Sequence, residues 1–288
     1  MKYSACLALL LVATATTAAA PATTQTRQAV KKLAVRAVQR QSSEEGQSGA
    51  TLGVGVGVGP LYAGSRAYDI APIPYAQGVW QSQDWGVFSA GNSGLGWTPY
   101  ANDNLQATLL LGYDGGRDET FDHSRVRGSQ ADRDFLRGMG KLKGTTEGGL
   151  AVQYQLYGLA LSLQAMHDLQ NRGHGGTWVD LGLTGDIEIA PSWSATLGVQ
   201  SRWADADYMN SYFGVSAAQA ASSQFQAYRP GAGLQSVGLN GTLSYAISEH
   251  WSLIAMAGYS QLVSEAADSP IVQSKHMLSG VVGAAYHF

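Results

Sequence analysis

The sequence has little cysteine, proline or charge. Its 288 residues include one cysteine, Cys6, and 8 prolines, and 14% of them are charged. Because Cys6 lies in a segment that we expect to be removed, the mature chain should lack cysteine, which excludes disulfides, zinc–thiolate sites and cysteine catalysis. The formal net charge of −3 argues against a nucleic-acid partner, since such proteins carry a basic face.

The N-terminus has the pattern of a secretory signal peptide. Lys2 supplies a positive start, residues 5–20 are apolar or small, and Ala20-Pro21-Ala22 fits a small-x-small cleavage site. We predict a signal peptide over 1–22, with an uncleaved membrane anchor as the alternative. Beyond it the sequence lacks any run of about 18 apolar residues, so we expect no transmembrane helix.

Apolar and polar residues alternate with a period of two in the remaining chain. The clearest stretches are 150–156, 159–164, 179–189 and 237–247. Alternation gives a strand one apolar face, which a soluble sandwich also needs, but sandwich strands span about five or six residues. Several stretches here reach ten or more residues, the length with which a tilted strand crosses a bilayer.

The predicted connections alternate between short and long. Tight turns fall at 157–158, 190–192 and 248–250, whereas polar segments cover 114–147, 169–176, 204–233 and 264–275. Short turns at one end and long loops at the other are typical of outer-membrane barrels. We therefore predict an all-β fold, a transmembrane antiparallel β-barrel of about 12 strands over 50–288, in the outer membrane of a Gram-negative bacterium. Its predicted strands are 51–59, 67–79, 84–91, 94–100, 104–113, 147–156, 158–168, 177–189, 192–203, 235–247, 250–263 and 276–288.

Three details refine this prediction. Pro72 and Pro74 remove ladder donors and predict a bulge or kink in the second strand, and ten or fourteen strands stay open as alternatives. Alternating glycines at positions 53, 55, 57 and 59 predict an inner wall with room for neighbouring side chains or an inserted loop. Aromatic residues at strand ends predict interfacial girdles: Trp85, Tyr113, Trp178, Trp193, Trp203, Tyr245, Trp251 and Tyr259.

The C-terminal strand and six loop motifs resemble one family. Val282, Ala284, Tyr286 and Phe288 form the kind of ending that the barrel-assembly machinery reads, which favours Phe288 as the natural end. The chain resembles the MipA/OmpV family of MltA-interacting proteins over about 50–288. The motifs that carry the resemblance are GVGVGPLYAGS at 55–65, PIPY at 72–75, GGRDE at 115–119, GHGG at 173–176, YMNSYFGV at 208–215 and DSPIV at 268–272.

The resemblance implies a non-enzymatic scaffold. In this family an outer-membrane protein links a lytic transglycosylase to a penicillin-binding protein that synthesises murein, and other relatives are described as porin-like or adhesive. No catalytic residues come with the family. The expected partners are therefore outer-membrane lipid and lipopolysaccharide, the barrel-assembly machinery and those two murein enzymes, with a channel for small polar solutes as the alternative function.

Two charged segments could bind partners. Residues 27–41, within a predicted N-terminal arm at 23–49, read as a short basic amphipathic helix or a mobile tail. The segment 114–147 holds seven basic and seven acidic residues, which could form salt bridges, bind lipopolysaccharide phosphates or remain solvated. The basic residues proposed for phosphate are Arg125, Arg127, Arg133 and Arg137.

We predict no catalytic, cofactor-binding or metal-binding residues. His174, with Asp168 and Asp180 nearby in sequence, could suggest a surface hydrolase, but a turn histidine is the better interpretation because no second histidine accompanies a paired carboxylate. Asp205, Asp207 and Asp268 could bind a cation but more readily cap loop amides.

The lumen should be polar. Inward-facing residues include Asp180, Asp186, Glu188, Gln200 and Arg202. In a barrel of about twelve strands side chains can nearly fill this space. An occluded lumen would favour the scaffold, and a continuous water path would favour the channel.

Overall fold

Alternating side chains produce long strands that pair in sequence order. The computed structural model describes residues 48–121 and 126–288. Its strands are β1 (Gly49–Pro60), β2 (Tyr68–Ser82), β3 (Gly86–Gly91), β4 (Gly94–Ala101), β5 (Leu105–Asp114), β6 (Val126–Arg127), β7 (Thr145–Leu156), β8 (Leu159–Asp168), β9 (Thr177–Ala190), β10 (Trp193–Ala204), β11 (Gly233–Ala246), β12 (Trp251–Leu262) and β13 (His276–His287). The helices are α1 (Gln130–Arg133), α2 (Ala206–Phe213), α3 (Ala217–Ser222) and α4 (Ser264–Ala267).

The sheet closes into a barrel because β1 pairs with both β2 and β13. Thr51 lies opposite His287, and every neighbouring pair of wall strands is antiparallel. The two described residues of β6 pair with the top of β2, and β5 pairs with β7, so the wall has twelve strands. The predicted fold class and all twelve predicted strands are confirmed.

The predicted bulge in β2 is wrong. Pairing between β1 and β2 runs without a shift from Gly49 opposite Val79 to Pro60 opposite Tyr68. Pro74 directs its carbonyl away from β1, toward the side chain of Asn92. The nitrogens of both prolines therefore lie at the edge of β2 that faces away from β1. Neither proline removes a hydrogen bond between β1 and β2.

The two ends of the barrel differ. One end, here named the turn end, carries the chain end at Phe288, the start of β1 and the short connections at 157–158, 191–192 and 247–250. The other end, the loop end, carries the four helices of the described ranges in long connections. None of the helices in the described ranges has the length and apolar character needed to cross a membrane.

Exposed aromatic residues mark a band across the outer surface. Trp193 and Trp203 project outward from β10, ten residues apart. That separation is about 33 Å along a strand and about 25 Å across a bilayer at a tilt of about 40°, which matches the apolar band of outer-membrane barrels. The prediction that Trp178 lies in a girdle is wrong, because this residue faces inward and is buried.

The lumen has an apolar wall and a polar wall. Gly57 leaves the space that Ile73 fills, since a Cβ at Gly57 would lie 2.2 Å from Cδ1 of Ile73. Met256 packs with Tyr75 and Val281 on this apolar side. The predicted polar residues face inward from β9 and β10, and Asp186 and Glu188 are exposed near the turn end.

Long connections pack into the mouth at the loop end. We name the segments 61–67, 115–121, 126–144, 169–176, 205–232 and 263–275 the mouth plug. Its first buried cluster joins α2 and α4 to the wall through Met166, Trp178, Ala204, Tyr208, Met209, Tyr212, Phe213, Leu262, Ala266 and Ala267. Its second cluster contains Leu61, Tyr62, Ala67, Leu136, Met139, Val215, Phe225 and Ile271. The predicted inserted loops therefore form a hydrophobic core of their own.

Candidate functional site

A buried polar cluster lies where the mouth plug meets the barrel wall. Glu147 projects inward from β7 and accepts hydrogen bonds at Oε1 from Trp178 Nε1, at 2.6 Å, and from His174 Nε2, at 3.0 Å. The backbone N–H of Gly176 donates to His174 Nδ1 at 3.1 Å. Because Nδ1 accepts, the neutral ring carries its hydrogen on Nε2 and donates it to Glu147.

The charge around His174 favours a proton more than its burial opposes it. Burial lowers the pKa of His174, but the hydrogen bond to Glu147 and the nearby charge of Asp114 outweigh burial and raise the pKa above its usual value. Protonation of His174 at Nδ1 would break the hydrogen bond that the N–H of Gly176 donates to this atom. The ring also packs against Tyr208, with centroids 4.9 Å apart.

A second set of contacts fixes α2 to the end of β5. The hydroxyl of Tyr212 donates to Oδ1 of Asp114 at 2.7 Å, and Gly116 N donates to the same oxygen at 2.7 Å. Arg117 Nη1 donates to the carbonyl oxygen of Tyr212 at 2.6 Å. Burial raises the pKa of Tyr212 and lowers that of Arg117, since both charged forms are disfavoured away from water.

Below these contacts an ion pair bridges β9 and β10. Arg202 donates to both carboxylate oxygens of Asp180, each at 2.7 Å, and its guanidinium carbon lies 4.2 Å from the ring centroid of Trp178. The planar guanidinium forms two parallel hydrogen bonds with the carboxylate and stacks on the indole ring at the same time. Asp180 therefore pairs with Arg202 and is not hydrogen-bonded to His174.

Asp168 organises the loop that carries His174. Its carboxylate accepts hydrogen bonds from the backbone N–H groups of Gln170, Asn171, Gly173 and Gly175, and from the hydroxyl of Thr145. These bonds fold 169–176 over the end of β8. The histidine is thus a loop residue, as predicted, while Asp168 is a backbone cap and not an acid–base partner.

Asp114, Glu147 and His174 have the residue types of a metal centre. Their possible ligand atoms lie within 4.8 Å of one another, and all three side chains are buried. A nitrogen ligand needs a free lone pair, yet Nδ1 of His174 already accepts from Gly176 and Nε2 carries the hydrogen that binds Glu147. The arrangement fits a hydrogen-bonded core rather than an ion site.

The other predicted loop residues have separate roles. Asp205 caps α2 through Tyr208 N at 2.9 Å, as predicted, whereas Asp268 pairs with Lys275 at 3.2 Å. In the charged segment Lys141 pairs with Asp118 at 2.8 Å. Of the proposed phosphate-binding residues, Arg137 pairs with Asp134 at 3.1 Å. The predicted signal peptide, the basic segment 27–41 and Arg125 lie outside the described residues.

Basic residues occur at only one end of the described barrel, where thirteen acidic residues accompany them. Its lysines and arginines all lie at the loop end, namely Arg66, Arg117, Arg127, Arg133, Arg137, Lys141, Lys143, Arg172, Arg202, Arg229 and Lys275. The turn end and the nearby lumen carry acidic residues, namely Asp84, Asp103, Asp186, Glu188 and Glu249. Each of these five acidic residues is exposed.

The whole barrel matches one family. The model described as "MltA-interacting protein MipA" matches residues 52–288, from β1 to the last residue. This chain belongs to the MipA family. The predicted resemblance is confirmed, and the MipA barrel is an outer-membrane protein, so its turn end faces the periplasm and its loop end faces outward.

The MipA chain is also similar to two curated outer-membrane proteins of Vibrio. It is 31% identical to Omp26La of Vibrio anguillarum over 169 residues and 32% identical to OmpV of Vibrio cholerae serotype O1 over 172 residues. Each match covers 57% of this chain and 63% of the relative. Among solved structures the NanC porin has a TM-score of 0.40 at 9% identity, covering 82% of this chain and 98% of that chain.

Proposed function

We propose that this MipA barrel acts by binding, as a scaffold that links a lytic transglycosylase to a murein synthase. The family description names an interaction with MltA. The observation that carries the proposal is the packing of the mouth plug, in which Leu136, Phe213 and Ile271 have 0% exposure. A channel needs a continuous water path, and tightly packed apolar side chains do not provide one.

The contacts that hold the plug support the same function. Glu147 and His174 join a wall strand to one loop, and Asp114 and Tyr212 join another strand to α2. Each of these contacts is buried, so its removal leaves a polar group without a partner, at a cost of roughly 1–3 kcal/mol.

The turn end offers a binding surface on the periplasmic side. Tyr157 is 99% exposed at the tip of the turn between β7 and β8, and Trp85 is exposed beside Asp84. Exposed aromatic side chains are the residues that most often carry binding energy at protein interfaces. The acidic surroundings favour a partner with a basic face. The predicted basic arm precedes β1 in sequence, and β1 begins at this end.

A channel for small polar solutes is the second candidate. Asp186 and Glu188 favour it, because both line the lumen and are exposed near the periplasmic end. They would form a solvated vestibule below the plug. Hydrolysis is the third and weakest candidate, since His174 is buried and both ring nitrogens are engaged.

Binding can be measured with purified components. The refolded barrel is immobilised in detergent and exposed to a membrane-bound lytic transglycosylase and a bifunctional penicillin-binding protein. We expect both to bind, and Tyr157→Ala to weaken binding about tenfold, the effect of losing about 1.4 kcal/mol. Tyr113→Ala is the matched control, because Tyr113 is an exposed aromatic residue at the opposite end. Stepwise conductance in planar bilayers without capture of either enzyme would overturn the scaffold in favour of the channel.

A further inference from the structure

The apolar wall and the polar wall of the lumen lie on different sides below the mouth plug. Tyr75, Met256 and Val281 pack together on the apolar wall. Asp186 and Glu188 face inward from β9, at the same parity as Asp180. Strand β9 is six strands from β2 in the ring of twelve, so it lies across the lumen from Tyr75. A molecule that fills this space therefore needs one apolar side and one basic side.

The carboxylates of the polar wall have no basic side chain beside them in the described ranges. Arg202 is held by Asp180, six residues above Asp186 and thus about 20 Å away along the strand. Asp186 accepts a hydrogen bond from the hydroxyl of Thr196 at 2.6 Å, which carries no charge. Asp186 and Glu188 lie on the same face of one strand, about 7 Å apart, and repel each other. A cation placed between them would remove this repulsion.

The sequence before β1 contains a segment with the matching two sides. Residues 27–41 include no acidic residue and five basic ones, namely Arg27, Lys31, Lys32, Arg36 and Arg40. At helical spacing most of these side chains share one side, and Val30, Leu33 and Ala37 fall on the other. The acidic residues Glu44 and Glu45 lie outside this segment, in the linker to β1.

The linker is long enough to bring the segment into the lumen. Ser48 accepts a hydrogen bond from Gln81 N at 3.0 Å, which holds the start of β1 at the turn end. From residue 41 to Ser48 the chain can span about 24 Å. A barrel of twelve strands, tilted by about 40°, is also about 24 Å across between opposite strands. Residues 27–41 can therefore reach every wall of the lumen from the turn end.

The lumen has room for a helix of this length. Fifteen residues of α-helix are about 22 Å long. The height from the end of β9 at Ala190 up to Asp180 is about 25 Å at the same tilt. Glycine occupies inward positions on five of the surrounding strands, where no side chain extends into this space. These residues are Gly53, Gly55, Gly182, Gly198, Gly258 and Gly283.

We propose that residues 27–41 dock inside the lumen beneath the mouth plug, with their basic side chains against Asp186 and Glu188 and their apolar side chains against the wall of Tyr75 and Met256. The segment is tethered to β1, so its effective concentration at the lumen is in the millimolar range and weak individual contacts suffice. The inference does not depend on the scaffold function. An anionic lipid surface and an acidic face of a murein enzyme are the competing sites for the segment, and the experiments separate them.

Zero-length cross-linking tests the docking on the unmodified chain. The protein is purified in dodecyl maltoside without anionic lipid, treated with a carbodiimide and mapped by mass spectrometry. We expect Lys31 or Lys32 to be joined to Asp186 or Glu188 within one molecule. The internal controls are the exposed acidic residues in the turns of the same end, namely Asp84, Asp103 and Glu249. Lysine links that reach only these controls, or only a second molecule, would overturn the proposal.

Proteolysis supplies an independent measurement. Trypsin cuts within 27–41 only while the segment is outside the lumen, so the cutting rate follows the released population. We expect Asp186→Asn combined with Glu188→Gln to raise this rate at least tenfold. Asp84→Asn combined with Glu249→Gln removes the same charge from the same end and should change the rate less than twofold.

Both pairs of substitutions keep the size of the side chain at exposed positions, and heat-modifiable migration on gels checks that each barrel is folded. Equal cutting rates in the two double variants would contradict the docking. Protection that appears only in vesicles containing phosphatidylglycerol would assign the segment to the lipid surface. Protection that appears only after a lytic transglycosylase or a penicillin-binding protein is added would assign it to that partner. Either result would also overturn the proposal.

Discussion

Nε2 of His174 lies 3.0 Å from Oε1 of Glu147, and this contact joins the plug to the wall. The two residues are 27 positions apart in the chain, on a loop and on a strand. Trp178 donates to the same oxygen, so one carboxylate oxygen serves two donors from different elements. Charge-assisted hydrogen bonds of this kind are about twice as strong as neutral ones.

Replacing Glu147 should loosen the plug. Glu147→Ala leaves the N–H groups of His174 and Trp178 buried without an acceptor, and we expect a loss of about 3 kcal/mol in the free energy of unfolding. Denaturant titration in detergent measures that loss, and planar-bilayer recordings should show new conductance steps. Glu188→Ala is the control, since Glu188 is exposed in the lumen and its loss should change stability little. Equal effects of the two substitutions would show that Glu147 does not anchor the plug.

The ion pair of Asp180 and Arg202 should resist conservative replacement. Arg202→Lys keeps the charge but loses the second hydrogen bond and the stacking on Trp178, so we expect a destabilisation of about 1–2 kcal/mol. The matched control is Arg137→Lys, because Arg137 has 70% of its side chain exposed while it pairs with Asp134. That pair should contribute less than about 0.5 kcal/mol. A double-mutant cycle that couples Asp180 and Arg202 no more strongly than the control pair would refute this expectation.

The loop that contains α1 should weaken in acid. Burial acts to raise the pKa of Asp132, but hydrogen bonds from Ser129 and the pair with Arg66 outweigh it and lower the pKa to about 2. An unfolded aspartate titrates near pH 4, so Asp132 stabilises the folded loop above about pH 4, and that stabilisation is lost as the pH falls toward about 2. Hydrogen exchange of the amides in 129–134 measures the change. Amide exchange in the Asp132→Asn variant should lack this acid dependence. If the variant shows the same acid dependence as the unmodified chain, Asp132 is not the group responsible.

Asn92 should stabilise the barrel far more than its neighbour in the turn. Asn92→Ala leaves Ala76 N and the carbonyl oxygen of Pro74 without their side-chain partner, at an expected cost of about 2 kcal/mol. Ser93→Ala is the control, since Ser93 is exposed in the same turn. The midpoints of thermal unfolding in lipid vesicles compare the two variants. Similar midpoints would mean that the edge of β2 does not depend on Asn92.

Strand positions were predictable because lipid imposes a strict pattern on them. Each outward residue must be apolar, so Val54 and Val56 alternate with inward glycines and reveal the strand without any knowledge of its partners. The same parity indicated that Asp180 and Arg202 face inward. It could also have marked Glu147, which occupies an inward position of β7, as a buried carboxylate in need of a donor.

The plug contacts were not predictable, because they join residues distant in sequence. Asp114 and Tyr212 are 98 positions apart, and periodicity says which side a residue faces but not which loop covers it. Trp178 was misplaced in a girdle because its position at a strand end was considered without its parity, which is the same as that of the inward-facing Asp180. The role of Pro72 and Pro74 likewise depends on how far β3 extends beside them, which follows from register and not from composition.

The two ends of the described barrel differ in charge, because the loop end carries eleven basic and thirteen acidic residues, whereas the turn end carries five acidic residues and no lysine or arginine. The basic residues lie among loops that meet the phosphate-bearing head groups of the outer leaflet, and the end that carries only acidic charges faces away from them. An inverted molecule would bring its carboxylates to those phosphates and lose the attraction of its guanidinium groups. Electrostatics thus adds a directional preference to insertion that the apolar band, being symmetric about its midplane, does not supply.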